Sequence, residues 1–208
     1  IDELSAPLLP MTALIYCLTF VATLRTKVRR FRFVANLAAE AVLLATFCSR
    51  EPWIVIGLLA LGTVFPSLVL RGRRKSVRIY WSHMALYVVG MAVGQYLIDS
   101  SLKTGDITAW RVLPLAIAVL IRNGIVPLHC WVTDLFEKAS FGGALLFVAP
   151  ITGAYAAVRL LLPVAPEAIA NVVGLTAIGT AMYAAAMSLI QTDCRRFFAY
   201  LFLSHSSL

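Results

Sequence analysis

Charged residues are scarce in this sequence. Only 13% of its 208 residues are Asp, Glu, Lys or Arg, whereas 61% are hydrophobic. A soluble domain of this length cannot hide so much apolar side chain, because too little polar residue remains to cover its surface. The composition therefore excludes an ordinary soluble fold and indicates that a lipid bilayer is the solvent for most of the chain.

Motifs of covalent catalysis and cofactor binding are also missing. The sequence has no nucleophile elbow, Gly-rich phosphate loop, CxxC pair or HExxH. Its four cysteines have neither paired nor metal-ligand spacing, so we expect free thiols, no metal and no cofactor held by this chain. The net charge of +8 could suggest nucleic acid. The basic residues instead form short clusters between apolar segments, without an aromatic-interleaved basic face, and we expect no nucleic-acid partner.

Seven apolar segments follow one another, each close to the roughly 20 residues that cross a bilayer. They run over about 8–24, 33–48, 53–70, 79–98, 109–136, 141–162 and 168–190. This pattern predicts an all-α fold, a polytopic transmembrane helix bundle with one discontinuous helix. We expect residues 1–208 to form a single transmembrane domain of about seven spans plus the start of an eighth. The ends of the sequence suggest a fragment of a longer chain.

Lysine and arginine are distributed unevenly between alternate loops. Loops on one side carry thirteen of them, and loops on the other side carry four. The richest loops are residues 25–32 and 71–78. Because basic residues concentrate on the cytoplasmic side of membrane proteins, the first side is predicted to be cytoplasmic.

The fifth segment is interrupted by polar and helix-breaking residues. An Asn-Gly pair follows Arg122, and Pro127 and His129 come shortly after it. Glycine adds backbone entropy and proline lacks an N–H, so we predict that helical hydrogen bonding stops between Arg122 and Pro127. Irregular backbone inside a bilayer is tolerated only where protein or a water-filled cavity covers it, and such helices often form transport sites. An ion or substrate site is therefore predicted at this interruption.

Three ionisable residues in apolar segments are candidate members of a proton path, because such groups are costly in lipid without a partner or a function. Glu40 lies in the middle of the second segment, either as a protonatable relay or as a neutral hydrogen-bonded structural group. Arg122 stays protonated, so it supplies a fixed charge for an ion pair or an electrostatic gate. His129 borders the interruption, as a relay or as a structural cap.

Two motifs together resemble the antiporter-like membrane subunits of respiratory complex I, a family shared with multi-subunit cation/proton antiporters and membrane-bound hydrogenases. Residues 127–134, PLHCWVTD, are similar to the family pattern P-[FL]-H-x-W-L-P-D. Residues 191–205, QTDCRRFFAYLFLSH, are similar to Q-T-D-x-K-R-x-x-A-Y-S-x-x-S-H. The resemblance covers nearly the whole chain, as the third to the eighth or ninth spans of a fourteen-span protein.

Some charged positions of the family pattern differ in this chain. Arg122 stands where the family has a lysine, five residues before the proline. The family also has a glutamate on its fifth span, five residues before a proline, and this position falls on Leu61 in the third apolar segment of this chain. Since an unpaired charge at this depth costs at least about 3 kcal/mol, we expect Glu40 to point toward Arg122, directly or through water.

The resemblance implies a proton-translocating membrane subunit of a complex I-like NADH:quinone oxidoreductase, or of a related ion-pumping assembly. Such a subunit carries no redox cofactor, and its partners are the lipid bilayer, other membrane subunits of a multi-subunit complex, and protons or monovalent cations. It implies an integral protein of a bacterial or organelle inner membrane. The alternative is a degenerate family member that acts as a structural membrane scaffold, or as the membrane half of another ion or solute transporter.

Overall fold

The computed structural model describes residues 2–23, 32–72, 76–104, 108–148 and 151–207. Every regular element within these ranges is a helix, which confirms the all-α prediction. In chain order the helices are α1 (Ser5–Val21), α2 (Phe33–Cys48), α3 (Pro52–Gly62), α4 (Val64–Gly72), α5 (Arg78–Thr104), α6 (Ala109–Asn123), α7 (Cys130–Lys138), α8 (Phe141–Val148), α9 (Ile151–Ala156) with a π-helical turn (Ala157–Leu161), α10 (Glu167–Leu189) and α11 (Cys194–Ser206).

Four helical stretches are long and apolar enough to cross a membrane, judged by length and composition. They are Pro52–Arg71, Arg78–Lys103, Phe141–Leu161 and Glu167–Leu189, and α1 and α2 are shorter apolar helices. These six stretches coincide with six of the predicted segments, and the predicted fifth segment corresponds to α6 and α7. The predicted basic loops lie largely on residues 24–31 and 73–75, outside the described residues. The orientation and the single seven-span domain stay predictions.

The chain separates into two compact units, and each is described by itself. Unit 1 comprises Ile1–Val77 and Lys138–Ala149, and therefore holds α1 to α4 and α8. Its buried centre is formed by Tyr16 and Leu146, against which Phe20 and Phe33 pack. Glu40 lies midway along α2 of this unit and is half-buried.

Unit 2 comprises Arg78–Glu137 and Pro150–Leu208 and contains the interrupted helix. Its longest helix, α5, packs closely against α6 because Gly90 and Gly94 have no side chains to separate the two backbones. A Cβ placed on Gly94 would lie 2.7 Å from the backbone nitrogen of Leu115. Farther along the chain, the Ser204 hydroxyl of α11 donates to the Ala181 carbonyl of α10 at 3.0 Å. Unit 2 is thus a bundle in which α6 is held between neighbouring helices.

Candidate functional site

The interruption of the fifth segment, residues 124–129, begins with a glycine turn that ends α6. Gly124 adopts a left-handed conformation, with φ 69° and ψ 31°. Its N–H donates to the Ile121 carbonyl at 3.1 Å, and the N–H of Ile125 donates to the Leu120 carbonyl at 3.0 Å. This pair of bonds is a Schellman motif, which satisfies carbonyls that the end of a helix leaves without donors. The predicted end of helical hydrogen bonding after Arg122 is therefore confirmed, and α7 begins at Cys130.

Side chains from other parts of unit 2 cover further backbone groups of this interruption. The indole N–H of Trp131 donates to the Ile121 carbonyl at 2.8 Å. The backbone N–H of Val126 donates to the Thr180 hydroxyl of α10 at 3.1 Å. Trp131 and Thr180 are only 1% and 2% exposed, so protein and not water satisfies these groups. The prediction that protein covers the freed backbone is confirmed.

Arg122, the last residue but one of α6, lies among aromatic side chains. Its guanidinium carbon is 5.4 Å from the centre of the Trp131 ring, within the range of a cation–π interaction. It also interacts electrostatically with Tyr80 and Tyr87 of α5, which are both 1% exposed. The edge of the Tyr80 ring meets Trp131, with the ring centres 6.3 Å apart. This environment suits a permanent charge, because an aromatic face attracts a cation without a proton transfer.

His129, at the other end of the interruption, contacts two tyrosines that come from later helices. Its ring centre is 5.7 Å from that of Tyr183 on α10 and 6.1 Å from that of Tyr200 on α11. The two tyrosine rings are themselves 6.5 Å apart. His83 of α5 interacts with His129 electrostatically. His129 is therefore fixed by its neighbours at a point where three helices meet the interrupted one.

A polar cleft of about 370 Å³ opens beside α7 in unit 2. Carboxylates, a guanidinium, a hydroxyl, an amide, a thiol and a phenol share its wall with two apolar side chains. The lining residues are Ile79, Cys130, Thr133, Asp134, Glu137, Met187, Gln191, Arg196 and Tyr200. Because Cys130 follows His129 directly and Tyr200 contacts the His129 ring, the cleft ends next to the interruption. It could hold water and pass protons or a small cation.

The structure brings two of the three sequence-predicted site residues to the same interruption. Arg122 and His129 flank it in unit 2, but they have different aromatic neighbours. Glu40 belongs to unit 1, so its pairing with Arg122 stays a prediction. Among the described residues, no group of three or more His, Cys, Asp or Glu side chains is arranged to hold a metal ion.

The cleft was not predicted from the sequence, although the polar residues in part of its wall have a recognisable spacing. Cys130, Thr133, Asp134 and Glu137 recur at helical spacing and therefore share one face of α7. The contributions of α5, α10 and α11 follow only from the tertiary structure. Tyr200 in particular lies 70 residues beyond Cys130. No local pattern connects the two.

Apolar helices of membrane-spanning length, together with a helix interruption whose backbone groups are covered by protein, define a polytopic membrane protein. Residues 79–208 match the family described as "NADH:quinone oxidoreductase/Mrp antiporter, TM". The match covers more than half of the chain, and the chain belongs to this family. It is an integral membrane protein, and family membership supports a bacterial or organelle inner membrane. The resemblance carried by residues 127–134 and 191–205 is confirmed.

Individual relatives agree with the family match. NADH-quinone oxidoreductase subunit M of Escherichia coli is 35% identical over 95 residues, covering 43% of this chain and 18% of the relative. F(420)H(2) dehydrogenase subunit M of Methanosarcina mazei is 30% identical over 98 residues, covering 45% of this chain and 20% of the relative. NAD(P)H-quinone oxidoreductase chain 4 1 of Synechococcus elongatus is 27% identical over 99% of this chain and 43% of its own length.

A solved structure has the same fold. A chain in the respiratory complex I from Thermus thermophilus with bound NADH superposes with a TM-score of 0.80 and 24% identity, over 100% of this chain and 49% of that chain. The chain therefore spans less than half the length of the relatives it matches.

Proposed function

We propose that this chain is part of a proton-translocating membrane subunit of a complex I-like NADH:quinone oxidoreductase, or of a related ion-pumping assembly. The observation that carries the proposal is the interrupted helix α6–α7, whose second half lines a polar cleft ending beside His129. The part played by this chain is ion movement, and electron transfer is left to partner subunits. It is therefore a non-redox membrane component of such an enzyme.

Arg122 and His129, two of the three proposed site residues, differ in whether they can exchange a proton. Arg122 acts as a fixed positive charge, since a guanidinium keeps its proton under almost any condition. His129 accepts and releases protons, because imidazole is the side chain whose charge changes near neutral pH.

Glu40 is the third proposed site residue, as a relay whose carboxyl carries the proton across the middle of the bilayer. Support comes from its position midway along an apolar helix, where a carboxyl without a partner or a function is costly.

The cleft supplies the route to His129. Glu137 and Asp134 are one turn apart on α7 and line the cleft, and Tyr200 both lines the cleft and contacts the imidazole ring of His129. Carboxylates, hydroxyls and water can each pass a proton along such a path by exchanging hydrogen bonds. The same oxygen atoms could bind Na⁺ or another monovalent cation. Ion movement measured with and without Na⁺ in the bath distinguishes proton movement from Na⁺ movement.

The assembly itself is tested by purification. A tagged copy of the full-length protein, extracted from its own membrane with a mild detergent, should bring with it membrane subunits of a quinone oxidoreductase or ion-pumping complex. Lipid and those subunits are the proposed partners. Recovery of the tagged protein alone, or with an unrelated solute carrier, would contradict the proposal.

Ion movement is tested with Glu40→Gln in that assembly. The variant should abolish proton uptake by membrane vesicles while leaving the amount of assembled complex unchanged, because the amide cannot carry a proton. Glu51→Gln is the matched control, since Glu51 is an exposed carboxylate in the same unit.

A structural scaffold is the second candidate function. It is favoured by Leu61, a 46% exposed apolar residue at the position where the resemblance expects a glutamate. Normal proton uptake in Glu40→Gln, together with normal assembly, would support the scaffold over the proton path.

A further inference from the structure

The C-terminal end of α7 is capped by a side chain from α11. The last carbonyl groups of any helix lack donors from their own helix. Here the Nη1 atom of Arg195 donates to the carbonyl of Phe136 at 3.2 Å and to that of Glu137 at 3.4 Å. A cation at this place also interacts favourably with the negative end of the helix dipole. Arg195 thus joins the end of α7 to the beginning of α11.

The turn before α11 holds Arg195 in this position. The Asp193 carboxylate accepts hydrogen bonds from the backbone N–H groups of Arg195 and Arg196, at 2.8 Å and 3.0 Å. This is an N-cap, which fixes the first turn of α11. Arg196 forms a second link to Glu137, with 3.3 Å between the charged atoms, but both side chains are more than half exposed. Since exposed ion pairs contribute little, the bonds of Arg195 are the stronger link.

The other end of the cleft is also bridged between α7 and α11. Tyr200 contacts the ring of His129, the residue that precedes α7. Nearer the C-terminal end of α7, where Arg195 caps the helix, Phe202 also contacts Phe136, with ring centres 5.9 Å apart. The two helices are therefore linked by long side chains at both ends of the cleft that they line. The width of the cleft then depends on those links.

We propose that Arg195 is a positioning residue that sets the separation of α7 and α11, and so keeps the cleft open as far as Cys130. The consequence for ion movement rests on the function proposed above, whereas the role in holding the helices does not. Within the described residues, Arg195 is the side chain that donates to two carbonyls at the end of α7.

The thiol of Cys130 provides a reporter for this proposal, because Cys130 is exposed and lines the cleft. In a full-length protein in which every cysteine other than Cys130 is replaced by serine, the rate of modification by N-ethylmaleimide measures access through the cleft. Arg195→Met keeps the approximate bulk of the side chain and removes all of its hydrogen-bond donors. We expect it to slow modification about tenfold and to speed hydrogen exchange of the last α7 amides about tenfold, as for the loss of one charged hydrogen bond.

Two further variants separate the cap from general effects of charge. Arg195→Lys should restore both rates to within about twofold of the parent, because an ammonium still donates to helix-terminal carbonyls. Lys103→Met removes an exposed cation from the last turn of α5, in the same unit but outside the cleft lining, and should leave both rates unchanged. If Arg195→Met accumulates poorly, Arg195→Gln, which keeps one donor group, should give an intermediate slowing.

Unchanged rates in Arg195→Met would overturn the proposal. Faster exchange without slower modification would also overturn it, because Arg195 would then cap α7 without controlling the cleft. Proton uptake measured in the same variants keeps the two proposals apart. If neither the parent protein nor any variant moves protons, the proposed function fails. The modification and exchange rates still decide the role of Arg195 in that case.

Discussion

Replacement of Gly124 by alanine should destabilise the protein through two effects that can be separated. The first is backbone strain, because φ 69° lies in the left-handed region, which costs an L-residue about 1–2 kcal/mol. The second is space, because the new Cβ would lie 2.8 Å from Val132 Cγ2 and 2.9 Å from Leu203 Cδ1. Overpacking of this kind costs about 1–3 kcal/mol. We therefore expect a loss of about 2–5 kcal/mol in the free energy of unfolding.

Thermal unfolding of the detergent-solubilised protein, followed by tryptophan fluorescence, measures this loss. For a chain of this size, at about 2–4 °C per kcal/mol, the expected decrease in Tm is roughly 4–20 °C. The matched control is Gly179→Ala on α10, where a Cβ would meet no atom within 4 Å. That control should be neutral or stabilising, since alanine favours a helix over glycine by about 1 kcal/mol.

A double variant divides the cost of Gly124→Ala between strain and space. Leu203→Ala alone is destabilising, because Leu203 is fully buried. Combined with Gly124→Ala, it removes one of the two clashing atoms, so the combined effect should be smaller than the sum of the single effects. Equal Tm values for Gly124→Ala and Gly179→Ala would refute the left-handed turn and the Schellman motif at the end of α6.

Three further substitutions test how unit 2 covers the interruption and packs its helices. Trp131→Phe removes the indole donor from a buried carbonyl and should cost about 1–3 kcal/mol in chemical unfolding. Trp110→Phe, at a 57% exposed position of the same unit, should change stability by less than about 0.5 kcal/mol. Thr180→Val keeps the side-chain shape but removes the acceptor of a backbone N–H, so a loss of about 1–3 kcal/mol is expected by the same measurement. Gly94→Ala should lower Tm more than Gly90→Ala. A Cβ at position 94 would lie 2.7 Å from the backbone nitrogen of Leu115, whereas one at position 90 would lie 3.0 Å from the carbonyl oxygen of Pro114. The reverse order of Tm would contradict the close packing of α5 and α6.

The interruption was predictable because it is encoded locally. Gly124 and Pro127 each disfavour helix within a few residues, and an apolar segment on either side makes their effect visible in the sequence. What covers the freed groups was not predictable, because the acceptor for Val126 lies 54 residues later in the chain. Such contacts depend on how helices pack, and a single sequence contains no direct signal of them.

Trp131 illustrates how much of the site depends on tertiary structure. In the folded chain it is 1% exposed, because its N–H satisfies a carbonyl at the end of α6 and its ring lies under the Arg122 guanidinium. The charge of Arg122 was evident from the sequence, but the aromatic surroundings that accommodate it were not.

The most direct test of the central claim is proton uptake by membrane vesicles that contain the assembled complex with His129→Gln. The claim is that ions pass through the interrupted helix by way of the cleft beside His129. Glutamine keeps hydrogen-bonding capacity but cannot take up a proton, so we expect uptake to fall at least about a hundredfold, the lower end of what a positioned proton-transfer group contributes. His205→Gln, an exposed histidine on α11 of the same unit, should leave uptake unchanged. Equal uptake in the two variants, at equal amounts of assembled complex, would contradict the claim.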